Sequence, residues 1–386
     1  MEKKKYRKSV VVVFFLVLSL LCLVLLELGA RCAYQCKSEI GKILGIKPRL
    51  VLDEYEIPDP EHPENWKLKP GYCQTLENLK KEKERTGHLL GAQQLEKKLQ
   101  KSKETHPKLK INQQGFRGPE IDSTHSHLRI LTIGDSCTFG LSGTLPYPRI
   151  VEQRLRERGW KVEVINGGVE GYGTYNVLCR IRDFMALKPE ITTIYLGWND
   201  LFAEKRYSGI EKYLYTFRLF HKAWERAWGN RARAFAQYSK AKNPNPKAAE
   251  VRNLKGYIPS FLPKMEEIIS HISKVSKCVV LMTLPSLFIS DEAPSAKALK
   301  IGHLPYFTNN PYVLAKMVEQ YNECLRKLAK KHHLLLIDLQ KWSRKLSPRD
   351  EYFIDSVHLT EDAQKRLGGY IADQLMKLRP KMKGLR

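Results

Sequence analysis

The stretch ILTIGDSCTFG, from Ile130 to Gly140, carries an apolar run directly into a Gly-Asp-Ser turn. An apolar run bounded by small, turn-forming residues is typical of a buried strand. Ser and Asp are also ordinary residues of turns and helix starts, where their side chains hydrogen-bond neighbouring backbone groups. A strand-to-helix turn is, however, a place where enzymes expose a nucleophilic serine. The remaining sequence has to distinguish these two interpretations of Ser136.

Apolar segments with strand character alternate with amphipathic helical segments along the rest of the chain. The predicted strands are 128–133, 161–166, 191–197, 278–285 and 334–339. The predicted helices are 147–159, 174–185, 261–276, 311–333 and a last helix that Thr360 caps. Strands that alternate with helices at this spacing indicate a parallel sheet with helices on both faces. We therefore predict an α/β fold with a five-stranded parallel sheet in three layers, α/β/α.

Polar residues and glycines follow four of the predicted strands. Ser136 follows the first strand, and residues 166–171 (Asn-Gly-Gly-Val-Glu-Gly) follow the second. Asn199 follows the third strand, and Asp355 and His358 lie between the fifth strand and the last helix. Because open α/β sheets bind ligands at the carboxyl ends of their strands, we expect these groups to meet at one edge. They offer a hydroxyl, backbone N–H groups, an amide, a carboxylate and an imidazole, which is the set that acyl transfer needs.

These blocks resemble the SGNH hydrolases, also called GDSL esterases and lipases, over residues 128–378. The family pattern is a serine in Gly-Asp-Ser, a glycine, an asparagine in Gly-x-Asn-Asp, and Asp-x-x-His near the C-terminus, and all four occur here in order. The resemblance implies a flavodoxin-like three-layer fold. It also implies that Ser136 is a nucleophile, that His358 is its base and that Asp355 orients the base.

The resemblance further implies an oxyanion hole formed by the Ser136 N–H, a glycine N–H and the Asn199 amide. Counting from the asparagine that ends the second strand, Gly171 matches the family glycine best, and Gly168 is the alternative. The name GDSL stands for the motif Gly-Asp-Ser-Leu, and this chain has Cys137 where the motif has leucine. The side chain at this position has no part in the chemistry. No cysteine or histidine pattern has metal-ligand spacing, so we predict neither a metal nor a cofactor.

Residues 201–262 form a segment too long for a simple crossover between strands, with many aromatic and basic side chains between Tyr207 and Tyr238. It leaves the sheet just after Asn199, at the edge where we expect the site. Two interpretations stay open. The segment forms a lid or wall whose aromatic rings stack on sugars, or it forms amphipathic helices that bury those rings in a small core of their own.

The N-terminus combines basic residues between Lys3 and Lys8 with an almost unbroken apolar stretch from Val10 to Leu26. The apolar length suits a membrane helix, and the following sequence shows no clear cleavage site. We predict an uncleaved anchor with its N-terminus in the cytoplasm and the catalytic domain outside, periplasmic or extracellular. A cleaved signal peptide and a buried core helix are the alternatives.

The predicted organisation has three parts. Residues 1–31 form the basic leader and transmembrane anchor, and residues 32–110 form a membrane-proximal connector with a charged helical region. Residues 111–386 form the hydrolase domain, interrupted by the insertion at 201–262. Of the eight cysteines, Cys137 and Cys278 lie in or beside predicted core strands and are expected to be buried. Cys32 and Cys36 are spaced closely enough to pair.

A net charge of +25, from 66 Lys and Arg against 41 Asp and Glu, favours polyanionic partners. No motif of a nucleic-acid-binding domain occurs, so we predict no nucleic acid partner. The predicted function is a serine esterase that removes acyl groups, first of all O-acetyl groups, from an extracytoplasmic carbohydrate or lipid. An O-acyltransferase of envelope polysaccharide with the same triad, and a non-catalytic envelope-binding protein on the same fold, are the alternatives.

Overall fold

A computed structural model describes most of the chain, which divides into two compact units. One unit comprises residues 1–49 and 205–235, and the other comprises residues 50–204 and 236–386. The residues described are 2–35, 52–74, 109–140, 144–204, 214, 216–217 and 238–378. Residues 75–108, which contain nearly all of the predicted charged helical region, and most of the aromatic stretch between Tyr207 and Tyr238 lie outside the described residues.

The larger unit is built on a five-stranded parallel sheet. Its strands, and those of two short two-stranded pairs, are β1 (Glu56–Pro58), β2 (Trp66–Leu68), β3 (Leu128–Gly134), β4 (Val162–Gly168), β5 (Ile191–Tyr195), β6 (Ser239–Lys240), β7 (Cys278–Met282), β8 (His303–Leu304) and β9 (Leu335–Ile337). The sheet order is β4-β3-β5-β7-β9, and every neighbouring pair is parallel. This is the strand order of flavodoxin-like folds, so the predicted fold class is confirmed.

The described helices are divided between the two units: the N-terminal helix belongs to the smaller unit, and the others connect and cover these strands. They are α1 (Glu2–Gln35), α2 (Ser136–Phe139), α3 (Tyr147–Glu157), α4 (Thr174–Cys179), α5 (Ile181–Ala186), α6 (Trp198–Ala203), α7 (Ala249–Arg252), α8 (Leu262–Ile272), α9 (Ala296–Ile301), α10 (Pro311–Lys331), α11 (Leu339–Ser343) and α12 (Glu361–Leu378). Thr360 precedes α12, and its carbonyl accepts from the N–H of Gln364 at 2.8 Å, as its predicted capping role requires.

The register of the sheet explains why the strand ends meet. Gly134 at the end of β3 is paired with Gly168 at the end of β4 and with Tyr195 at the end of β5. The strands are buried along almost their whole length, as a sheet covered on both faces requires. The chain passes from β4 on one side of β3 to β5 on the other, and ligands of open α/β sheets bind at such a change of direction.

Two local details differ from the sequence predictions. The single helix predicted over 174–185 is interrupted at Arg180, which separates α4 from α5. The Arg180 guanidinium is buried and lies over the rings of Phe116 and Phe184, at 5.4 and 5.2 Å from their centres. The last strand stops at Ile337 because Asp338 starts α11 by accepting from the N–H of Lys341.

A hairpin that was not expected from the sequence lies N-terminal to the first sheet strand. Strands β1 and β2 pair antiparallel, with Ile57 opposite Lys67. Tyr55 and Leu68 from this segment are buried in the same hydrophobic core as Phe139, and the rings of Tyr55 and Phe139 stack at 5.7 Å. The hairpin is therefore an integral part of the larger unit.

The N-terminal helix α1 contains an apolar span from Val13 to Cys32 with a mean hydropathy of 2.7. By length and composition, these 20 residues could cross a membrane. Among the cysteines, Cys137 and Cys278 are buried free thiols, as expected. Cys32 is an exposed free thiol, and its suggested partner Cys36 lies outside the described residues.

Candidate active site

The turn after β3 presents Ser136 at the first position of helix α2. The side chain of Asp135 caps this helix by accepting from the N–H of Cys137 at 2.9 Å. Asp135 is fully buried, and burial raises the pKa of its carboxyl to about 6. Asp135 thus holds the turn in shape, while Ser136 stays partly exposed at the sheet edge.

The loop before α12 brings an imidazole and a carboxylate to this serine. His358 Nε2 lies 2.8 Å from Ser136 Oγ, and His358 Nδ1 lies 2.7 Å from Asp355 Oδ2. The other oxygen of Asp355 accepts from the backbone N–H groups of Val357 and His358, both at 2.8 Å. A continuous hydrogen-bonded chain therefore joins the three predicted residues, although Ser136 and His358 are 222 positions apart in sequence.

The electrostatics of this chain favour an ionised carboxylate beside the imidazole. Burial alone would raise the pKa of Asp355, but the His358 imidazole and the backbone N–H bonds hold it well below its usual range. Burial likewise lowers the pKa of His358, but the Asp355 carboxylate more than offsets this and raises it to about 9. The site therefore stabilises an imidazolium, which is the state a general base reaches after taking a proton.

The two candidate glycines differ in what their backbone N–H groups do. Gly168 is the last residue of β4, and its N–H donates to Asn166 Oδ1 at 3.0 Å. Gly171 lies beyond the strand with a φ of +76°, and no acceptor for its N–H occurs within the part of the chain that the structure describes. Of the two, Gly171 is thus the one with an N–H available to a ligand.

Helix α6 positions Asn199 next to the same loop. The Asn199 side chain donates to the carbonyl of Tyr172 at 2.9 Å, which leaves the second N–H of the amide for another acceptor. The adjacent Asp200 accepts from the backbone N–H of Thr174 at 2.9 Å and from its hydroxyl at 2.8 Å. These bonds fasten α6 to the loop that follows Gly171, so Asp200 has a structural role.

The hairpin contributes contacts to the site that the sequence does not reveal. The ring of Trp66 meets that of Tyr172 edge-on, with 5.3 Å between the ring centres. The Trp66 ring also lies so close to Gly171 that a Cβ added there would be 3.1 Å from the ring. The Tyr55 hydroxyl donates to Glu170 at 2.5 Å. Both contacts hold the loop of Gly171 in place, and nothing in the spacing of Tyr55 or Trp66 signals them.

Arg117 and Asn166 form a second support, at the end of α2. The buried Arg117 guanidinium donates to the carbonyls of Phe139 at 2.7 Å and Thr144 at 2.9 Å. The Asn166 amide donates to the carbonyls of Thr138 at 3.1 Å and Phe139 at 3.2 Å. Because carbonyls at a helix end lack partners within the helix, these donors stabilise the short helix that carries Ser136.

One group of side chains away from the predicted residues has metal-ligating chemistry. His62, Glu64 and Cys179 present ligand atoms that all lie within 4.8 Å of one another. All three are partly exposed, and Glu64 already accepts a hydrogen bond from the Tyr175 hydroxyl at 2.5 Å. Sequence spacing does not signal this group, because His62 and Cys179 are far apart in the chain.

Solved structures with a similar fold have low sequence identity to this chain, and no curated protein sequence matches it. A lipase/acylhydrolase from Enterococcus faecalis is similar at 19% identity and a TM-score of 0.41, covering 67% of this chain and 98% of its own. The acetylxylan esterase Axe2 from Geobacillus stearothermophilus is similar at 16% identity and a TM-score of 0.38, covering 68% of this chain and 95% of its own.

A family model supplies the assignment. The model described as the GDSL-like lipase/acylhydrolase family matches residues 132–366, which is more than half of the chain. The match begins within β3, just before Ser136, and extends past His358 into α12. The chain therefore belongs to the GDSL-like lipase/acylhydrolase family and is a carboxylic ester hydrolase.

Proposed function

We propose that this hydrolase removes ester-linked acyl groups, first of all O-acetyl groups, from an extracytoplasmic carbohydrate by way of a Ser136–His358–Asp355 triad. The observation that carries the proposal is the hydrogen-bonded chain from Ser136 Oγ through His358 to Asp355, with links of 2.8 and 2.7 Å. A serine, a base and an orienting acid within hydrogen-bonding reach are the general signature of an activated nucleophile.

The chemistry follows from these contacts. Ser136 Oγ attacks the ester carbonyl carbon while its proton moves to His358 Nε2, and Asp355 stabilises the imidazolium that forms. The tetrahedral intermediate collapses, the C–O bond to the alcohol breaks, and His358 gives the proton to the departing alkoxide. A water molecule then attacks the acyl-enzyme by the same route, releasing the acid and restoring Ser136.

The proposed oxyanion hole combines three donors around Ser136. They are the Ser136 N–H at the start of α2, the Gly171 N–H, and the second N–H of the Asn199 amide. Support for Gly171 over Gly168 comes from the bond that already occupies the Gly168 N–H. Preorganised donors of this kind stabilise charge that develops in the transition state, so they act mainly on kcat.

Replacing Asn199 by alanine is expected to lower kcat by about 100- to 1,000-fold with a small change in KM, because one oxyanion donor is lost. The steady-state kinetics of p-nitrophenyl acetate hydrolysis measure this effect. The near-isosteric variant Asn199→Asp serves as the matched comparison and should lose at least as much activity, since a carboxylate cannot donate. A loss in either variant that appears only in KM would argue against Asn199 as an oxyanion donor.

Replacing Trp66 by alanine is expected to lower kcat/KM by about ten- to 100-fold, because the loop of Gly171 loses the ring that it packs against. The Trp66→Phe variant keeps an aromatic ring there and should retain most of the activity. Thermal unfolding of both variants would separate a local effect from a loss of fold. Full activity in Trp66→Ala would mean that the hairpin does not position the loop of Gly171.

We further propose that α1 anchors the chain in a membrane with the basic N-terminus in the cytoplasm and the catalytic unit outside. Support comes from the apolar span Val13–Cys32, of which only 6% is buried, because exposed apolar surface of that length requires lipid or another cover. The basic residues that precede the span favour a cytoplasmic N-terminus. The charge of +25 suits the anionic polymers of a cell envelope.

The experiment that tests the proposed function uses the full chain in detergent micelles with acetylated xylan and an O-acetylated envelope polysaccharide. We expect free acetate from at least one polymer, and none above background from Ser136→Ala. Acetyl groups that appear on a second sugar without free acetate would instead support the O-acyltransferase. Absence of both products from native protein that also fails to cleave p-nitrophenyl acetate would overturn the proposal.

A further inference from the structure

Three rings form an aromatic cluster that the proposed chemistry does not use: Phe202, Tyr238 and His303. Tyr238 and His303 meet edge-on at 4.5 Å, while Phe202 lies 5.6 Å from Tyr238 and 5.1 Å from His303. Phe202 is buried, but 56% of Tyr238 is exposed. A large exposed aromatic side chain supported by two buried or half-buried rings has the form of a binding surface.

The aromatic cluster borders the proposed triad and oxyanion hole. Phe202 lies in α6, three residues after Asn199. His303 Nδ1 lies 3.9 Å from Asp355 Oδ2, and the His303 backbone N–H donates to Ser356 Oγ at 2.9 Å. The aromatic cluster is thus tied to the helix that carries the amide and to the loop that carries the acid.

Backbone pairing holds the exposed ring in place. Tyr238 directly precedes β6, and β6 pairs with β8 so that Ser239 lies opposite Leu304 and Lys240 lies opposite His303. The ring of Tyr238 meets its two neighbours edge-on, and more than half of its surface stays open. A ring held in this way loses little conformational entropy when a ligand stacks on it.

We propose that the aromatic cluster binds the pyranose ring that carries the ester, which makes Tyr238 a determinant of specificity for acylated sugars. This proposal rests on the proposed esterase function and names the residues that bind the alcohol part of its substrate. A pyranose ring has an apolar face of C–H groups and a rim of hydroxyls. The exposed flat ring of Tyr238 suits the face, and the Tyr238 hydroxyl and His303 imidazole suit the rim.

The shape of the aromatic cluster also distinguishes a sugar from a long acyl chain. An acyl chain is best covered by an enclosed apolar channel, because its favourable binding scales with the area removed from water. Tyr238 is instead open to solvent and carries a polar atom, and its partner His303 carries two. An open aromatic surface with polar groups therefore favours a flat, hydroxylated ligand.

The test compares two acetyl esters that differ in the alcohol: a methyl xylopyranoside that carries one O-acetyl group and keeps its other hydroxyls, and ethyl acetate. Acetate release by the full chain gives kcat/KM for each, and their ratio measures recognition of the sugar. In Tyr238→Ala this ratio should fall by about tenfold, the effect of losing one stacking contact. Tyr238→Phe keeps the ring but loses the hydroxyl, so the ratio should fall less than in Tyr238→Ala, by about two- to fivefold.

The outcomes separate this proposal from the proposed function. A native enzyme that cleaves both esters, with an unchanged ratio in Tyr238→Ala, would overturn the role of the aromatic cluster and leave the esterase function intact. Cleavage of ethyl acetate but not of the acetylated sugar by the native enzyme would do the same. A native enzyme that cleaves neither ester would contradict the proposed function itself.

Discussion

Replacing Ser136 by alanine is expected to lower kcat/KM for ester hydrolysis by about four to six orders of magnitude. The variant removes the only protein atom that forms a covalent bond to the substrate in the proposed mechanism. It leaves the neighbouring contacts in place, because Asp135 caps α2 through its own side chain and Asp355 orients His358 independently of Ser136. Hydrolysis of p-nitrophenyl acetate by the full chain, followed by product absorbance, measures the loss.

Three further variants define how this result is interpreted. His358→Ala should lose about as much activity, and the double variant should lose little more, because residues that act as a unit give non-additive effects. Ser290→Ala is a matched control, since the Ser290 hydroxyl donates to Glu319 and not to His358. Activity retained in Ser136→Ala, or losses that multiply in the double variant, would contradict a shared role for Ser136 and His358.

Replacing Asp355 by asparagine should lower kcat by about 10,000-fold. One carboxylate oxygen accepts from two backbone N–H groups, so the amide nitrogen of the variant would face His358 Nδ1. That nitrogen donates, and His358 would then have to carry its proton on Nε2, where it could no longer accept the proton of Ser136. The amide preserves the shape of the site, so thermal unfolding should change far less than kcat.

The pH profile gives this variant a second readout. In the native enzyme the Asp355 carboxylate raises the pKa of His358 to about 9, and only the neutral imidazole can act as a base. We therefore expect kcat/KM to rise with pH up to about 9 and to level off above it. Asp135 and Glu170 also raise the pKa of His358, but the variant loses the largest contribution that raises it while burial still lowers it, so the rise in Asp355→Asn should shift to lower pH. An unshifted profile would mean that another group controls the titration.

The fold, and the placement of the candidate site residues at one edge of the sheet, could be predicted from the sequence because both depend on local patterns. The apolar run before Gly134 and the four other strands have lengths and flanking residues that distinguish them from helices. Parallel strands bring their carboxyl ends to one edge, so Ser136 and Asn199 could be assigned to the same edge before any contact was known. The expectation that Asp355 orients His358 came from the resemblance of Asp-x-x-His to the SGNH hydrolase motif.

The supports of the site could not be predicted, because they depend on contacts between distant segments. The contact of Trp66 with Gly171 joins the hairpin to a loop that is remote in the sequence. Arg180 breaks a helix whose local sequence favours continuity, and its side chain is buried against two aromatic rings from other parts of the chain. Likewise, the bond from the Gly168 N–H to Asn166 Oδ1, which leaves Gly171 as the glycine with an available N–H, could not be predicted.

Covalent labelling tests whether Ser136 is a nucleophile activated by His358. The full chain in detergent would be treated with a fluorophosphonate, digested and analysed by mass spectrometry. We predict a single phosphonyl group on each chain, attached to Ser136, and strongly reduced labelling in His358→Ala. An unlabelled native protein, or a label on another residue that persists in Ser136→Ala, would contradict the claim.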